Sequence, residues 1–349
     1  MFLRAPLILA AVWFLAAANL PAQRRGGSGT RSAPQASFEI HGSVMLPDNV
    51  APHRIVRLQQ VCAGHSSGLA FADSKGRYSF DLGILYNPTT GAATPGGRTI
   101  ASYADCSIRA ELEGFRTQAI PIEPAVKSRK TDLPQILLQP VAKDQSVILS
   151  ATDAGIGPAA KKDFERGLDL VSGGKWRDAI KAMQKATSEE PKFATAWLSL
   201  GMLQVSQKEE RDAAKSFTSA IAADERFATP YIELAVVESG IPQWDKVAEH
   251  AGKAISLDPD SFPRAYYLSA MANIRLKKND VARKSSAEGI RVDQDHLYPD
   301  LQYMQGILLI AAGDRLQGRE QLEIYLELAP DGDNADNARA QLKAVAAAK

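Results

Sequence analysis

The amino-acid sequence predicts a multidomain fold, in which an all-β antiparallel sandwich is followed by an all-α solenoid of helical repeats. Three observations predict it. Apolar and polar residues alternate with a period of two from Phe38 to Val141. Beyond Pro158 the apolar period becomes helical, and a set of small residues recurs every 34 positions. The only two cysteines, Cys62 and Cys106, both lie in the alternating segment.

The composition is that of a globular chain with no strong electrostatic preference. Hydrophobic residues make up 45% of the 349 residues and charged residues 23%, so there is enough apolar surface for two cores. The formal net charge is +1. This balance gives no reason to expect nucleic acid or an anionic membrane as the partner.

The first 22 residues have the layout of a secretory signal peptide. Arg4 supplies a positive charge, 5–18 is an almost unbroken apolar run, and Ala22 is a candidate cleavage position. The run is short for a membrane span, although an uncleaved anchor is the alternative. We therefore expect an exported protein, periplasmic or extracellular, with no membrane span after cleavage. Residues 23–36, rich in Gly, Ser and Arg, are predicted to be a disordered linker.

Residues 37–142 are predicted to form the β-sandwich. Short alternating runs recur through this segment, and one of the clearest, 78–82, follows a turn. The stretch 83–98 is rich in Gly, Pro and Thr and is predicted to be a long exposed loop. In an exported domain, two cysteines favour a Cys62–Cys106 disulfide that closes a loop of about 45 residues. Two buried free thiols are the alternative.

Three short motifs in this segment carry a family resemblance. They are IHGSV at 40–44, DSKGRYSF at 73–80 and IRAELEGF at 108–115. With these motifs, the segment resembles the carboxypeptidase regulatory-like domain, which is a transthyretin-like sandwich. The resemblance implies a non-catalytic accessory module and does not name a ligand.

The second half of the chain repeats with a period close to 34 residues. Small residues and helix-ending prolines return in the same slots: Gly167, Ala179, Ala186 and Pro191, then Gly201, Ala213 and Ala220, then Ala235, Ala254 and Pro259. These slots are those of the tetratricopeptide repeat (TPR) family, which the segment resembles. Units are placed near 160, 194, 228, 263 and 299, after a connector at 143–157.

The last unit departs from the family pattern, and a further helix follows it. Gly318 and Tyr325 stand in the fifth unit where small alanines are usual. Residues 333–348 are predicted to form a solubilising cap, so that the TPR array spans 158–349.

The TPR resemblance also implies a binding surface. In that family the first helices of successive units line a concave groove, and fixed slots of each unit face it. Here those slots hold Phe164, Leu168, Leu198, Met202, Val205, Ile232, Val236, Tyr267, Met271, Arg275, Tyr303 and Ile307. A mainly apolar set suits an amphipathic helix or an extended peptide. Alternatively, these side chains pack against each other, the terminal helix or the sandwich.

Catalytic and metal-binding patterns are weak in this sequence. The string GHSSG at 64–68 fits the Gly-x-Ser-x-Gly nucleophile motif, but no helical pattern follows Ser66 and the segment is all-β. The five histidines show no zinc-ligand spacing. No glycine-rich phosphate loop precedes a helix. We therefore expect no catalytic residue, no metal and no cofactor.

Together these features predict an exported, non-enzymatic scaffold that binds a protein or peptide partner from the envelope or the secreted proteins. One alternative is a glycan- or cell-wall-binding protein that uses the sandwich, with the array as a spacer; exposed aromatics such as Tyr86 and Tyr103 would serve it. Another is a serine esterase acting through Ser66.

Overall fold

The structure is a computed structural model that describes residues 38–62, 65–82, 84–86, 93–95, 103, 105–122, 130–141 and 150–347. The predicted signal peptide and linker lie outside the described residues. Residues Ala36–Lys349 form one compact unit. The predicted fold class is confirmed, because a sheet-rich region with antiparallel strands precedes eleven described helices in a TPR-like array.

Eleven strands lie within the described part of the N-terminal region. They are β1 (Phe38–Met45), β2 (Arg57–Cys62), β3 (His65–Phe71), β4 (Arg77–Leu82), β5 (Ile84–Tyr86), β6 (Ala93–Pro95), β7 (Cys106–Glu111), β8 (Phe115–Thr117), β9 (Ile120–Pro121), β10 (Lys130–Asp132) and β11 (Ile136–Pro140).

The strands form two main sheets that share one core. One sheet has the order β10-β1-β11-β8, with β4 also paired to β1, and the other has the order β3-β2-β7-β9. Pairing is antiparallel except where β1 meets β10 and β11 in parallel. Ile40 and Ile136 from the first sheet lie in the same buried cluster as Leu58 and Ile108 from the second. Such a shared core is what alternating strands of a sandwich produce.

The predicted disulfide is present between Cys62 and Cys106. The two residues lie directly opposite each other on the antiparallel strands β2 and β7, with their Cα atoms 4.2 Å apart. The bridge therefore joins neighbouring strands of one sheet and closes the chain between them.

Two expectations for the sandwich were wrong. Residues 83–98 are not simply a loop, because β5 and β6 pair in them as a short antiparallel hairpin. The apolar run Ile84-Leu85-Tyr86 supplies the strand residues that the Gly- and Pro-rich flanks obscure. Tyr103 is not an exposed aromatic, since only 1% of its surface is accessible and it belongs to the sandwich core.

A short 3₁₀ helix and eleven α-helices follow. The 3₁₀ helix is Ala151–Gly155; the α-helices are α1 (Pro158–Ser172), α2 (Trp176–Glu189), α3 (Ala194–Ser206), α4 (Glu210–Ala223), α5 (Ala228–Ser239), α6 (Trp244–Leu257), α7 (Pro263–Arg275), α8 (Asn279–Val292), α9 (Asp300–Ala311), α10 (Arg315–Leu328) and α11 (Ala335–Ala347). None of these described helices is both long and apolar enough to cross a bilayer.

Small residues allow the two helices of each repeat to pack closely. A Cβ atom on Gly201 of α3 would overlap the ring of Phe217 on α4, and one on Gly167 would lie 2.6 Å from the methyl carbon of Met183.

The fifth repeat departs from the pattern because its second helix, α10, also packs against the terminal helix α11. Its Tyr325 is buried against α11, and the tyrosine hydroxyl accepts a hydrogen bond of 3.0 Å from the Asn334 amide.

Candidate functional site

The twelve predicted groove residues all lie on α1, α3, α5, α7 and α9, the first helices of the five repeats. Successive first helices from α3 to α9 contact each other, so that their exposed sides form one surface, here called the first-helix face. The residues differ in exposure. Phe164, Leu168, Leu198 and Ile232 are buried; Met202, Val236, Tyr267, Met271, Tyr303 and Ile307 are half-buried; Val205 and Arg275 are exposed.

The β-sandwich packs against the array through apolar side chains. Ile55 is buried in the same cluster as Phe164 and Leu168 of α1. Phe71, on β3, meets the indole of Trp176 edge-on, with ring centres 5.3 Å apart. Phe115 contacts both the sandwich core and the cluster around α5 and α7. The two domains therefore share buried apolar surface rather than being joined by the connector alone.

Polar contacts extend this interface along most of the array. The backbone amide of Ser74 donates to the Asp169 carboxylate on α1 at 3.0 Å. At the other end, Arg116 lies 3.3 Å from the carboxylate of Asp295 and donates to the Gln294 side chain at 3.2 Å. The sandwich thus reaches from the first repeat to the loop that precedes the fifth.

Arg54 is the most deeply buried charged group of the interface. Its side chain is 4% exposed, with the guanidinium carbon 5.5 Å from the centre of the Phe227 ring and Nη2 3.5 Å from Thr229 Oγ1. Burial lowers the pKa of Arg54 to about 10, against the attraction of Glu113 and Glu233. The group remains a cation at neutral pH and lies over an aromatic face, which favours a cation.

A second arginine lies between one carboxylate from each domain. Arg264, in the first turn of α7, is 2.7 Å from Glu233 on α5 and 3.9 Å from Glu113 of the sandwich. The Glu113 side chain is 18% exposed. Burial raises the pKa of Glu113 to about 7, although Arg264 opposes the shift. The charge of Glu233, in turn, raises the pKa of Arg264. The protonation of Glu113 is therefore coupled to the packing of the sandwich against the array.

The described end of the connector is anchored to the array as well. The hydroxyl of Ser150 donates to the Asp224 carboxylate at 2.7 Å, and the Asp153 carboxylate accepts from the Thr195 amide at 3.4 Å. These bonds fix residues 150–155 against the start of α3 and the end of α4. They leave this part of the connector little freedom to act as a hinge.

On α5 and α7, the sandwich and the still-accessible apolar residues occupy different ends of the helix. Sandwich contacts fall on the first turns of these two helices, at Thr229 and Arg264, whereas on α1 they extend to Asp169 near its end. The second halves of the first helices from α3 to α9 carry a line of half-buried or exposed apolar side chains, here called the open strip: Met202, Val205, Val236, Met271 and Ile307. Each packs only partly against a buried cluster or, like Val205, is exposed.

Arg275 and the two predicted groove tyrosines have partners of their own. The Arg275 guanidinium carbon lies 5.5 Å from the centre of the Trp244 ring. Tyr267 stacks on Tyr298 at 5.8 Å, and Tyr303 contacts Tyr325 at 5.5 Å. The tyrosines therefore help to hold the repeats together, whereas Arg275 is a positioned cation at the edge of the open strip.

The catalytic-looking serine does not occupy the position that its motif requires. Ser66 lies inside β3, opposite Val61 of β2, and β3 leads through a turn into β4 rather than into a helix. A nucleophile elbow requires a sharp strand-to-helix turn. Within the described ranges, His, Cys, Asp and Glu side chains do not converge in threes as a metal site would need.

Comparison with known proteins identifies the repeats. Residues 164–226 match the tetratricopeptide repeat family. The rest of the array continues with the same helical pairs. No curated protein sequence matches the chain.

Solved structures of TPR proteins resemble about half of the chain. YrrB, described as a TPR protein with an unusual peptide-binding site, is 20% identical with a TM-score of 0.45, over 55% of this chain and 98% of its own. A TPR protein from Parabacteroides merdae is 18% identical with a TM-score of 0.46, over 55% and 75%. MamA from Desulfovibrio magneticus is 15% identical with a TM-score of 0.44, over 51% and 99%. At these identities the likeness concerns the fold.

Sequence reasoning did not single out Arg54, Glu113 or Arg264. Arginine and glutamate are usually exposed, so no local pattern marks three of them as interface residues. The one available signal is that Arg54 stands directly before the apolar pair Ile55-Val56.

Proposed function

We propose that this chain is an exported, non-enzymatic TPR scaffold that binds an apolar segment of a protein partner on the open strip. The observation that carries the proposal is the line of accessible apolar side chains on successive first helices. An apolar surface on successive helices suits the apolar face of an amphipathic helix or the side chains of an extended peptide. Two methionines among its five members make the surface adaptable in shape.

The docked sandwich sets the limits of this binding surface. It contacts the first turns of α5 and α7, so a partner reaches these helices from the side of their second halves. Leu168 and Ile232, two of the predicted groove residues, are buried, so the proposal places the partner on the accessible members of the set. The sandwich is proposed to be of the carboxypeptidase regulatory-like type and to act as a structural accessory.

Export is proposed from the signal-like N-terminus, and the disulfide supports it. Disulfides persist in oxidising compartments such as the periplasm and the cell exterior. Cys62 and Cys106 form such a disulfide, and the side chain of Cys106 is buried in the sandwich core. The partner is accordingly sought among envelope and secreted proteins.

The glycan-binding alternative for the sandwich gains no support from its aromatics. Tyr103 is in the core, and the side chain of Tyr86 lies outside what the structure describes. No second function is therefore argued for the sandwich.

The test is a crosslinking pull-down from envelope and secreted extracts of the source cells. The parent is compared with Val205→Glu/Met271→Glu, which places two charges on the open strip, and with Leu316→Glu, whose parent side chain is 83% exposed on α10. All three must first show equal helical content by circular dichroism. A protein captured by the parent and by Leu316→Glu, but lost with the double variant, supports the proposal. Equal capture by all three contradicts it.

A further inference from the structure

A cleft lies away from the open strip, between the second helices of the first two repeats. It is bounded by α2 and α4, and α3 forms its floor. Its volume is about 520 Å³, which is in the range of small-molecule sites. Trp197, Gln204 and Ser216 contribute to its lining, and none of them belongs to the open strip.

The cleft is lined by both apolar and polar side chains, and several of them are held in place. The Ser216 hydroxyl donates to the side-chain oxygen of Gln204 at 2.7 Å, and both residues are buried. The Trp197 indole nitrogen donates to the Pro191 carbonyl at 3.0 Å, which fixes the orientation of the ring. Trp197 itself is half-buried, so part of its surface faces the cleft.

The next repeat fills the corresponding space with a larger side chain. Tyr231, Glu238 and His250 stand 34 residues after Trp197, Gln204 and Ser216. The His250 ring lies 6.4 Å from the Tyr231 ring, and its Nδ1 is 2.7 Å from the Glu238 carboxylate. At the first junction, where the first two repeats meet, Ser216 stands in place of that histidine. The Trp197 ring and the Gln204 side chain therefore have no imidazole between them, whereas the next repeat has one.

The opposite wall of the cleft also has a smaller side chain than the corresponding position of the next repeat. Thr187 of α2 lines the cleft, whereas the position 34 residues later is Ile221, which packs against two buried clusters. The first junction therefore differs from the second by smaller side chains on both walls. Both differences enlarge the same space.

The chemistry of the lining selects the class of ligand. Besides the indole, the accessible residues Gln184, Ser188 and Ser219 present amide or hydroxyl groups. The charges of Asp212 and Lys215 are paired with each other at 2.6 Å. The Ser188 hydroxyl already donates to the Gln184 carbonyl, but its oxygen can accept a further hydrogen bond from a ligand. A sugar ring offers a C–H face to the indole and hydroxyls to the amides. We propose that this cleft binds a saccharide, with Trp197 as the stacking platform and Gln204 among the hydrogen-bonding groups.

The test uses saturation-transfer NMR on the full chain with maltotriose, cellotriose and tri-N-acetylchitotriose as probes. At least one of them is expected to bind the parent. Ser216→His, which introduces the side chain of the next repeat, is expected to weaken that binding by at least about tenfold, because it fills the space that the sugar occupies. Thr218→His is the matched control, since it adds the same side chain at an exposed position of the same helix.

Thr187→Ile, which narrows the cleft from the other wall, replaces Ser216→His if the latter fails to fold. Thermal unfolding of each variant separates loss of binding from loss of structure. The proposal is overturned if none of the three saccharides binds the parent, or if a folded, cleft-filled variant binds as tightly as the parent does.

Discussion

At the scale of single residues, Glu113 links the docking of the sandwich to pH. Its carboxylate is largely buried beside Arg264, and burial raises its pKa from 4.5 to about 7. The native state then holds a proton that the unfolded chain releases, so the stability contribution of this group is complete below pH 4.5. That contribution is lost as the pH rises through about 7.

Glu113→Gln should remove this dependence, because the amide stays neutral. At pH 8 the variant is expected to be more stable than the parent by roughly 1–3 kcal/mol, and at pH 4 this gain should vanish. Urea unfolding at the two pH values measures it. Glu249→Gln, on an exposed part of α6, is the control and should show no such change. A Glu113→Gln gain that is equal at both pH values would show that the group does not titrate between them.

Tyr78 carries a buried hydroxyl that costs stability. The side chain is 4% exposed, burial raises the pKa of its hydroxyl, and no hydrogen-bond partner for it lies among the described residues. Tyr78→Phe is therefore expected to leave the unfolding free energy unchanged or raise it by about 1 kcal/mol. Tyr231→Phe is the contrasting control, because its hydroxyl donates to the Glu225 carbonyl and its loss should destabilise. Destabilisation by Tyr78→Phe of the same size as by Tyr231→Phe would contradict this account.

At the scale of elements, the turns between paired helices show where the repeat is strained. Gly174 and Gly313 adopt left-handed backbone, with φ of 70° and 95°, and the corresponding positions in two other repeats are Lys208 and Lys277, with φ of 63° and 60°. A side chain in this conformation costs about 1–2 kcal/mol relative to right-handed backbone, whereas glycine adopts it freely.

Lys208→Gly and Lys277→Gly are expected to stabilise the array, each by up to about 1 kcal/mol. Both lysines are exposed, so the substitutions remove no buried contact. Differential scanning calorimetry measures the change, and Lys246→Gly, inside α6, is the control that should destabilise. A lower unfolding temperature for the two turn variants would show that the left-handed turns carry no strain.

The elements were largely predictable from sequence because their causes are local. The 34-residue spacing of Gly167, Gly201 and Ala235 follows from the need for a small residue where paired helices approach. The β-hairpin of β5 and β6 was missed, since its glycine- and proline-rich context resembles that of a loop.

The candidate site was predictable only in part, because its boundaries depend on distant residues. Open-strip members such as Met271 follow from their slots in the repeat. The covering of Ile232 and Leu198 depends on tertiary packing, and the contact between Arg54 and Thr229 joins residues 175 positions apart. No local pattern carries that information.

At the scale of the whole molecule, the sandwich and the array form one body. One part of the array surface contacts the sandwich, and another part, the open strip, stays accessible. Apolar contacts at Ile55, Phe71 and Phe115 are reinforced by the buried Arg54 and the half-buried Arg264. Shared buried surface of this kind favours a fixed arrangement over independent domains. The account therefore predicts that a partner contacts the open strip without displacing the sandwich.

Photo-crosslinking from defined positions can show whether a partner contacts the open strip while the sandwich stays in place. Benzoylphenylalanine replaces Met271 on the open strip, Phe115 in the interface between the sandwich and the array, or Leu316 on the exposed side of α10. Each protein is then irradiated in envelope and secreted extracts. The account predicts that position 271 captures a partner, that position 115 crosslinks only within the chain, and that position 316 captures nothing specific. Capture of the same partner from position 115, or equally from 271 and 316, would contradict it.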